Sequence, residues 1–164
     1  MTATAGTTDS EPARHVLLDL GWKVWRAGAA LRGAAPVVPE MHVPGTEHLR
    51  TSILAAWADT LAGVLAVDLM DRRVPVTLEL DVHLYRPAPG AGTVSGTGKV
   101  VKSGRSVFVA SVDFADDAGR TFAFAAAAFM PAPGVTTRMP PRATGDGILP
   151  GGGRLEVPFA ERAG

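Results

Sequence analysis

The chain has 164 residues, 46% of them hydrophobic and 20% charged, which suits one globular domain with a core of its own. Sixteen basic residues offset sixteen acidic ones, for a formal net charge of zero, without the basic excess of a general nucleic-acid binder. Cysteine is absent, which excludes disulfides, thiolate metal sites and a cysteine nucleophile.

The opening MTATAGTTDSEPAR is polar and lacks the apolar core of a signal peptide, so residues 1–13 read as a tail. Within 14–43, Trp22, Val24 and Arg26 share one face of an extended segment, Lys23 and Trp25 the other, and Gly28 supplies a turn. This predicts a short, irregular strand pair. Pro44-Gly45 breaks the chain. Thr51 or Ser52 can then cap a helix with a hydroxyl. From Ile53, apolar side chains at Leu54, Trp57, Leu61, Val64, Leu65 and Leu69 point all round that helix, and such a helix is buried on all faces. Asp59 and Asp68 interrupt the apolar run, which argues against a membrane span and for a cytoplasmic protein. Asp68, near the helix end, reads as a solvated or ion-paired surface acid.

VPVTLELDVHLYRP alternates strictly, with Val76, Leu78, Leu80, Val82 and Leu84 on one face, the clearest strand signal in the chain. Residues 87–92 make a turn. Strands follow at 93–102, 105–116 and 120–131, with turns at Ser103-Gly104 and Ala118-Gly119. Phe122, Phe124 and Phe129 favour a strand over a helix for the alanine-rich last run. After Pro131 the chain turns rich in Pro and Gly, so 132–164 reads as an extension of the 14–131 domain. Its Leu155, Val157 and Phe159 can strap onto the domain or a partner. The expected fold is α+β: a strand pair, one long helix and four strands in an antiparallel meander. A helix apolar all round needs a sheet that curls about it, and its remaining open side meets a second subunit.

Three stretches together resemble the hotdog-fold thioesterases similar to the phenylacetate-pathway (PaaI-like) acyl-CoA thioesterases. They are ADTLAG at 58–63, LYRPAPG at 84–90, and KVVKSGRSVFVASVDFADDAGRTFAFAAAAF at 99–129. The resemblance covers roughly residues 20–131 and implies an acyl-CoA or acyl-carrier thioester hydrolase, a homodimer or dimer of dimers. It implies no cofactor beyond coenzyme A as part of the substrate, and no nucleic-acid or membrane partner. The family opens its helix with His-Gly-Gly; Arg50-Thr51-Ser52 stands there instead. The family's upstream Asn falls at His42, and His48 is two residues out of register with the usual histidine.

The resemblance makes Asp59 the catalytic carboxylate, as general base or as nucleophile. Desolvation strengthens a carboxylate as a base near neutral pH, and the N–H groups of a helix start can hold a developing oxyanion. Thr51 N–H is the candidate donor. Thr51 and Asp59 are eight residues apart, about 12 Å along one helix, too far to share one carbonyl. If the two act together they come from different helices, and the dimer that the resemblance implies, with antiparallel helices, would place them so. The other reading of Asp59 is a structural acid bonded to Ser, Thr or Arg across an interface, or a cap where the helix breaks.

Arg50 can meet Asp59 or a substrate carboxylate, or only solvent, and Ser52 belongs to the same entrance. Thr60 can bond substrate, or more commonly the carbonyl one turn back. His42 and His48 lie in the loop that would border the pocket, or are simply solvated, as exposed loop histidines usually are. Arg86, Lys102 and Arg105 cluster near strand ends, where they can bind coenzyme A phosphates or merely solubilise the edge. His42, His48 and His83 have no metal-ligand spacing, so no metal is expected. GAGTVSGTG lacks the spacing and following helix of a nucleotide loop. The alternative function is a non-catalytic hotdog that binds an acyl thioester or a partner protein. A hydratase would need a Gly-Asp-x-Asn-Pro-x-His motif, which is absent.

Overall fold

The computed structural model describes residues 19–71, 73–136 and 161–162. The tail 1–13 and most of the extension, with Leu155, Val157 and Phe159, lie outside the described residues. The elements are β1 (Lys23–Ala27), β2 (Ala30–Pro36), a 3-10 turn (Pro39–Met41), α1 (Thr51–Leu69), β3 (Arg73–Leu84), β4 (Thr93–Ser103), β5 (Phe108–Ala115), β6 (Thr121–Thr136) and β7 (Glu161–Arg162). One antiparallel sheet runs in the order β1-β2-β4-β5-β6-β3, with β7 paired to β6. It curls around α1 in the hotdog fold.

The expected four-strand meander is corrected at one point: β3 pairs with β6, not β4. Alternation reports which face a residue occupies, not which strand lies beside it. The Pro- and Gly-rich 87–92 segment is therefore a crossover rather than a hairpin turn. It is pinned at both ends, where Tyr85 N–H donates to the Phe122 carbonyl and Val37 N–H to the Gly92 carbonyl, each at 2.8 Å.

The core fills the space between sheet and helix. Small inward residues let α1 approach: Ala123, Ala125 and Ala127 of β6, and Gly96 and Gly98 of β4. Trp22 lies in a slot over glycines. A Cβ at Gly33 would overlap its ring, and one at Gly96 would come within 3.1 Å of it. On its far side the ring stacks on Trp57 of α1, with centroids 4.8 Å apart. Leu54, Trp57 and Leu61 are wholly buried, each contributing about 1.5–3 kcal/mol in removed apolar surface. By length and composition α1 could cross a membrane, but this apolarity is spent inside the sheet.

Two expectations about α1 change. Asp68 is ion-paired, as one of its two expected readings had it, but not at the surface: its partner is Arg26 of β1, and both side chains are nearly buried. Nor is α1 buried on all faces. Ser52, Ala55, Ala56, Asp59 and Gly63 leave one stripe at least partly open, which a count of apolar residues conceals because alanine and glycine score as apolar wherever they point.

Candidate active site

Asp59 sits mid-helix on that open stripe, partly buried. Thr77 of β3 donates its hydroxyl to Asp59 Oδ1 at 2.7 Å. Strict alternation would not put Thr77 there. Leu80, Val82 and Leu84 pair with the inward Ala127, Ala125 and Ala123, so the residues between them, Asp81 and His83, face outward. A bulge between Thr77 and Glu79 reverses the phase, and Thr77 pairs with the inward Phe129 while Val76 pairs with the outward Met130. The expected single face from Val76 to Leu84 is thus broken at Leu78. Bulges re-aim side chains in this way. Thr77 was missed from the sequence. Pro75 was the available signal, since proline within a strand marks an edge or a bulge. Among the described residues no second donor reaches the Asp59 carboxylate, so Oδ2 is left to accept a proton.

The start of α1 forms a second cluster. No hydroxyl caps it: Arg50 is the N-cap residue and its side chain makes no capping bond, and Thr51 is the first helical residue. The expected Thr51 or Ser52 cap is therefore absent; Ile53 N–H donates to the Arg50 carbonyl at 3.1 Å, and the N–H groups before it in the first turn stay available as donors. Thr51 and Ser52 are exposed. Arg50 does not reach out through its Nε, which donates to the His42 carbonyl at 2.7 Å. That bond closes the 42–49 loop, whose ends also meet as an isolated bridge between His42 and Leu49. His42 Nε2–H donates to the Gly90 carbonyl at 2.7 Å, and His48 Nδ1–H to the Ala88 carbonyl at 3.4 Å. His42, Glu47, His48 and residues 87–91 line an open groove of about 540 Å³. The two histidines thus hold the crossover against the helix entrance.

The remaining candidates do not join these clusters. Thr60 is buried and its hydroxyl donates to the Ala56 carbonyl at 2.7 Å, so it is turned into the helix rather than toward a substrate. Arg86 is exposed just past β3, and Arg105 is exposed in the β4–β5 turn beside Lys102. Among the described residues no three His, Asp or Glu side chains come together as a metal site. Within one chain Asp59 and the Thr51 N–H remain about 12 Å apart along the helix. The arrangement therefore offers two half-sites: a carboxylate oriented by a hydroxyl, and a helix start with free donors beside a groove.

Residues 48–123 match the sequence profile of the Thioesterase superfamily. The fold is similar to several solved structures. AziG of S. sahachiroi is 23% identical with a TM-score of 0.66, covering 72% of this chain and 96% of that one. A Haemophilus influenzae thioesterase is 19% identical with a TM-score of 0.64, covering 72% and 82%. The PaaI protein of the E. coli phenylacetic acid degradation operon is 16% identical with a TM-score of 0.63, covering 71% and 83%. Among curated proteins none matches this chain by sequence.

Proposed function

We propose that this hotdog-fold chain, whose residues 48–123 match the Thioesterase superfamily, hydrolyses an acyl thioester carried on coenzyme A or a carrier protein. The observation that carries the reading is the Asp59–Thr77 pair, held on the one open face of α1. Asp59 takes a proton from the water as the water oxygen bonds to the thioester carbonyl carbon; the C–S bond then breaks, and the thiol leaves with the proton that Asp59 took. Thr77 fixes one carboxylate oxygen so that the other faces the water. The oxyanion that forms on the thioester carbonyl needs donors, and the Thr51 N–H at the start of a helix supplies one.

Both half-sites meet only if two copies join. Among the described residues β3 is an edge strand, paired to β6 alone, and Val76 and Leu78 on it are 44% and 54% exposed. An unpaired edge carrying apolar side chains is a ready template for another strand. Antiparallel pairing of β3 with its copy continues the sheet and turns the open stripes of the two α1 helices toward each other. Asp59 of one protomer then lies opposite Thr51 of its partner. Ala55 and Ala56 on the stripe let the helices approach closely. Exposed Arg86 and Arg105 are then free to meet the phosphates of coenzyme A.

The test is hydrolysis of a panel of acyl-CoA thioesters by the purified protein and by Asp59→Asn. Turnover by the wild type that falls roughly 10²- to 10⁴-fold in D59N supports the reading. A protein that is stabilised by acyl-CoA yet turns none over would make it a binding protein instead.

A further inference from the structure

Arg50 breaks the usual rule for its place. It is the N-cap residue of α1, a position that favours Ser, Thr, Asp or Asn, and its cation meets the positive end of the helix dipole. No acid stands in the first turn to offset it. Among the described residues no carboxylate pairs with it. A cation kept where its own helix opposes it points to negative charge that arrives from outside the chain.

Nor is Arg50 a loose surface side chain. It is half-buried, its backbone N–H donates to the Met41 carbonyl at 3.0 Å, and its Nε donates to the His42 carbonyl at 2.7 Å. That anchor fixes the guanidinium from one side and leaves both Nη groups of the fork. Among the described residues no acceptor takes them. There is room for a ligand beside this anchor, because His42 and His48 line the open groove of about 540 Å³. Thr51, whose N–H serves the thioester oxygen in the hydrolase reading, is the very next residue.

We propose that Arg50 is a second oxyanion donor, acting with the Thr51 N–H of its own chain on a thioester attacked through Asp59 of the other protomer. This rests on the hydrolase reading above and adds a catalytic residue to it. As the water oxygen bonds to the carbonyl carbon, the π electron pair of the carbonyl moves onto its oxygen. A guanidinium already in place meets that charge. Arg50 gives hydrogen bonds and keeps its protons, and the pair returns to the carbonyl as the C–S bond breaks toward sulfur. A donor that meets charge only in the transition state raises kcat and leaves substrate binding alone.

The test compares wild type, Arg50→Met and Arg50→Lys in hydrolysis of one acyl-CoA, with a thermal melt of each. Lysine keeps the charge and a donor for the His42 carbonyl but loses the fork. In R50M kcat falls about 10²- to 10³-fold with KM nearly unchanged, and R50K recovers part of the loss. Affinity for a trifluoromethyl ketone analogue of the acyl-CoA, whose hydrate imitates the oxyanion, falls by a similar factor. Affinity for the unreactive thioether analogue holds. In mixed dimers R50M regains activity with Asp59→Asn but not with Thr51→Pro, because Arg50 and Thr51 serve the same half-site. If R50M melts far below wild type, R50K decides through the same pair of analogues. A raised KM with kcat unchanged overturns the proposal and makes Arg50 a binding residue for coenzyme A phosphates. Equal weakening of the two analogues overturns it too, since that is the mark of a residue that only shapes the entrance. Absence of any turnover by the wild type defeats the hydrolase reading and takes this one with it, whereas a wild-type rate matched by R50M defeats only this one.

Discussion

Thr77→Val removes one hydroxyl and keeps the shape of the side chain. The hydroxyl donates to a carboxylate at 2.7 Å, and hydrogen bonds to charged groups contribute about 1.5–3 kcal/mol. Asp59 is only partly buried, so solvent screening takes the value to the low end, about 1.5 kcal/mol. If the bond serves to aim Asp59 Oδ2 at the water, most of that loss falls on the transition state, and each 1.36 kcal/mol is tenfold in rate. T77V is therefore expected to lower kcat by about tenfold, with KM little changed. Valine also suits a strand, so the melting temperature stays close to that of wild type. Thr77→Ser restores the donor and recovers most of the rate. The assay is steady-state hydrolysis of one acyl-CoA with a thermal melt of each variant. A T77V enzyme as fast as wild type, alongside an inactive D59N, would refute the positioning role. A T77V that loses stability but not kcat would make the bond purely structural.

Asp68→Ala leaves the Arg26 guanidinium in the core without its carboxylate, and breaking a buried pair in this way costs about 3–5 kcal/mol. A chain of this length loses about 2–4 °C per kcal/mol, so a drop of order 10 °C is expected by calorimetry; a shift under a couple of degrees would mean the pair is solvated. At the β5–β6 turn, Asp116 accepts from the backbone N–H of Arg120 and Ala118 and from the Arg120 side chain. The Arg120 backbone bond is the largest cause holding its carboxyl below the usual carboxylate range, followed by the Arg120 side chain. A carboxyl lowered in the folded state stabilises above its unfolded pKa, and that stabilisation is lost as pH falls through the folded value. Asp116→Asn should therefore melt below wild type at neutral pH, with the gap closing in acid; a gap that widens in acid contradicts this assignment.

The helix was legible from its long apolar run after a break at Pro44-Gly45, β3 from its alternation, and the last strand from its phenylalanines. Ile53 to Leu69 could not be read as anything but a core helix, and Val76 to Leu84 as anything but a strand. What was not legible depends on pieces meeting across the fold. The β3–β6 pairing is invisible to alternation, since either neighbour would bury the same face. The bulge at Leu78 shifts one residue against a partner strand, so only the partner reveals it, and with it Thr77. Arg26 and Asp68 are far apart in the chain, yet Arg26 already shared a face with Trp22 and Val24. A cation on a buried face demands an anion, and that inference was available. The open stripe on α1 stayed hidden because its members are small rather than polar. Asp59 stood out from the first because it is the stripe's one charge.

The central claim is that one site is built from two chains, and subunit complementation tests it most directly. Asp59→Asn removes the base. Thr51→Pro removes the donor N–H at the first helical position, where proline is tolerated, and Arg50 already holds the extended backbone that precedes a proline, with φ −66° and ψ 136°. Each variant alone is expected to be inactive as a homodimer. After unfolding and refolding as a mixture, every mixed dimer holds one whole site, with Asp59 from the T51P chain and Thr51 from the D59N chain. Activity should return on mixing. Two inactive variants that stay inactive in mixed dimers would contradict the account, since that is the behaviour of a site contained within a single chain.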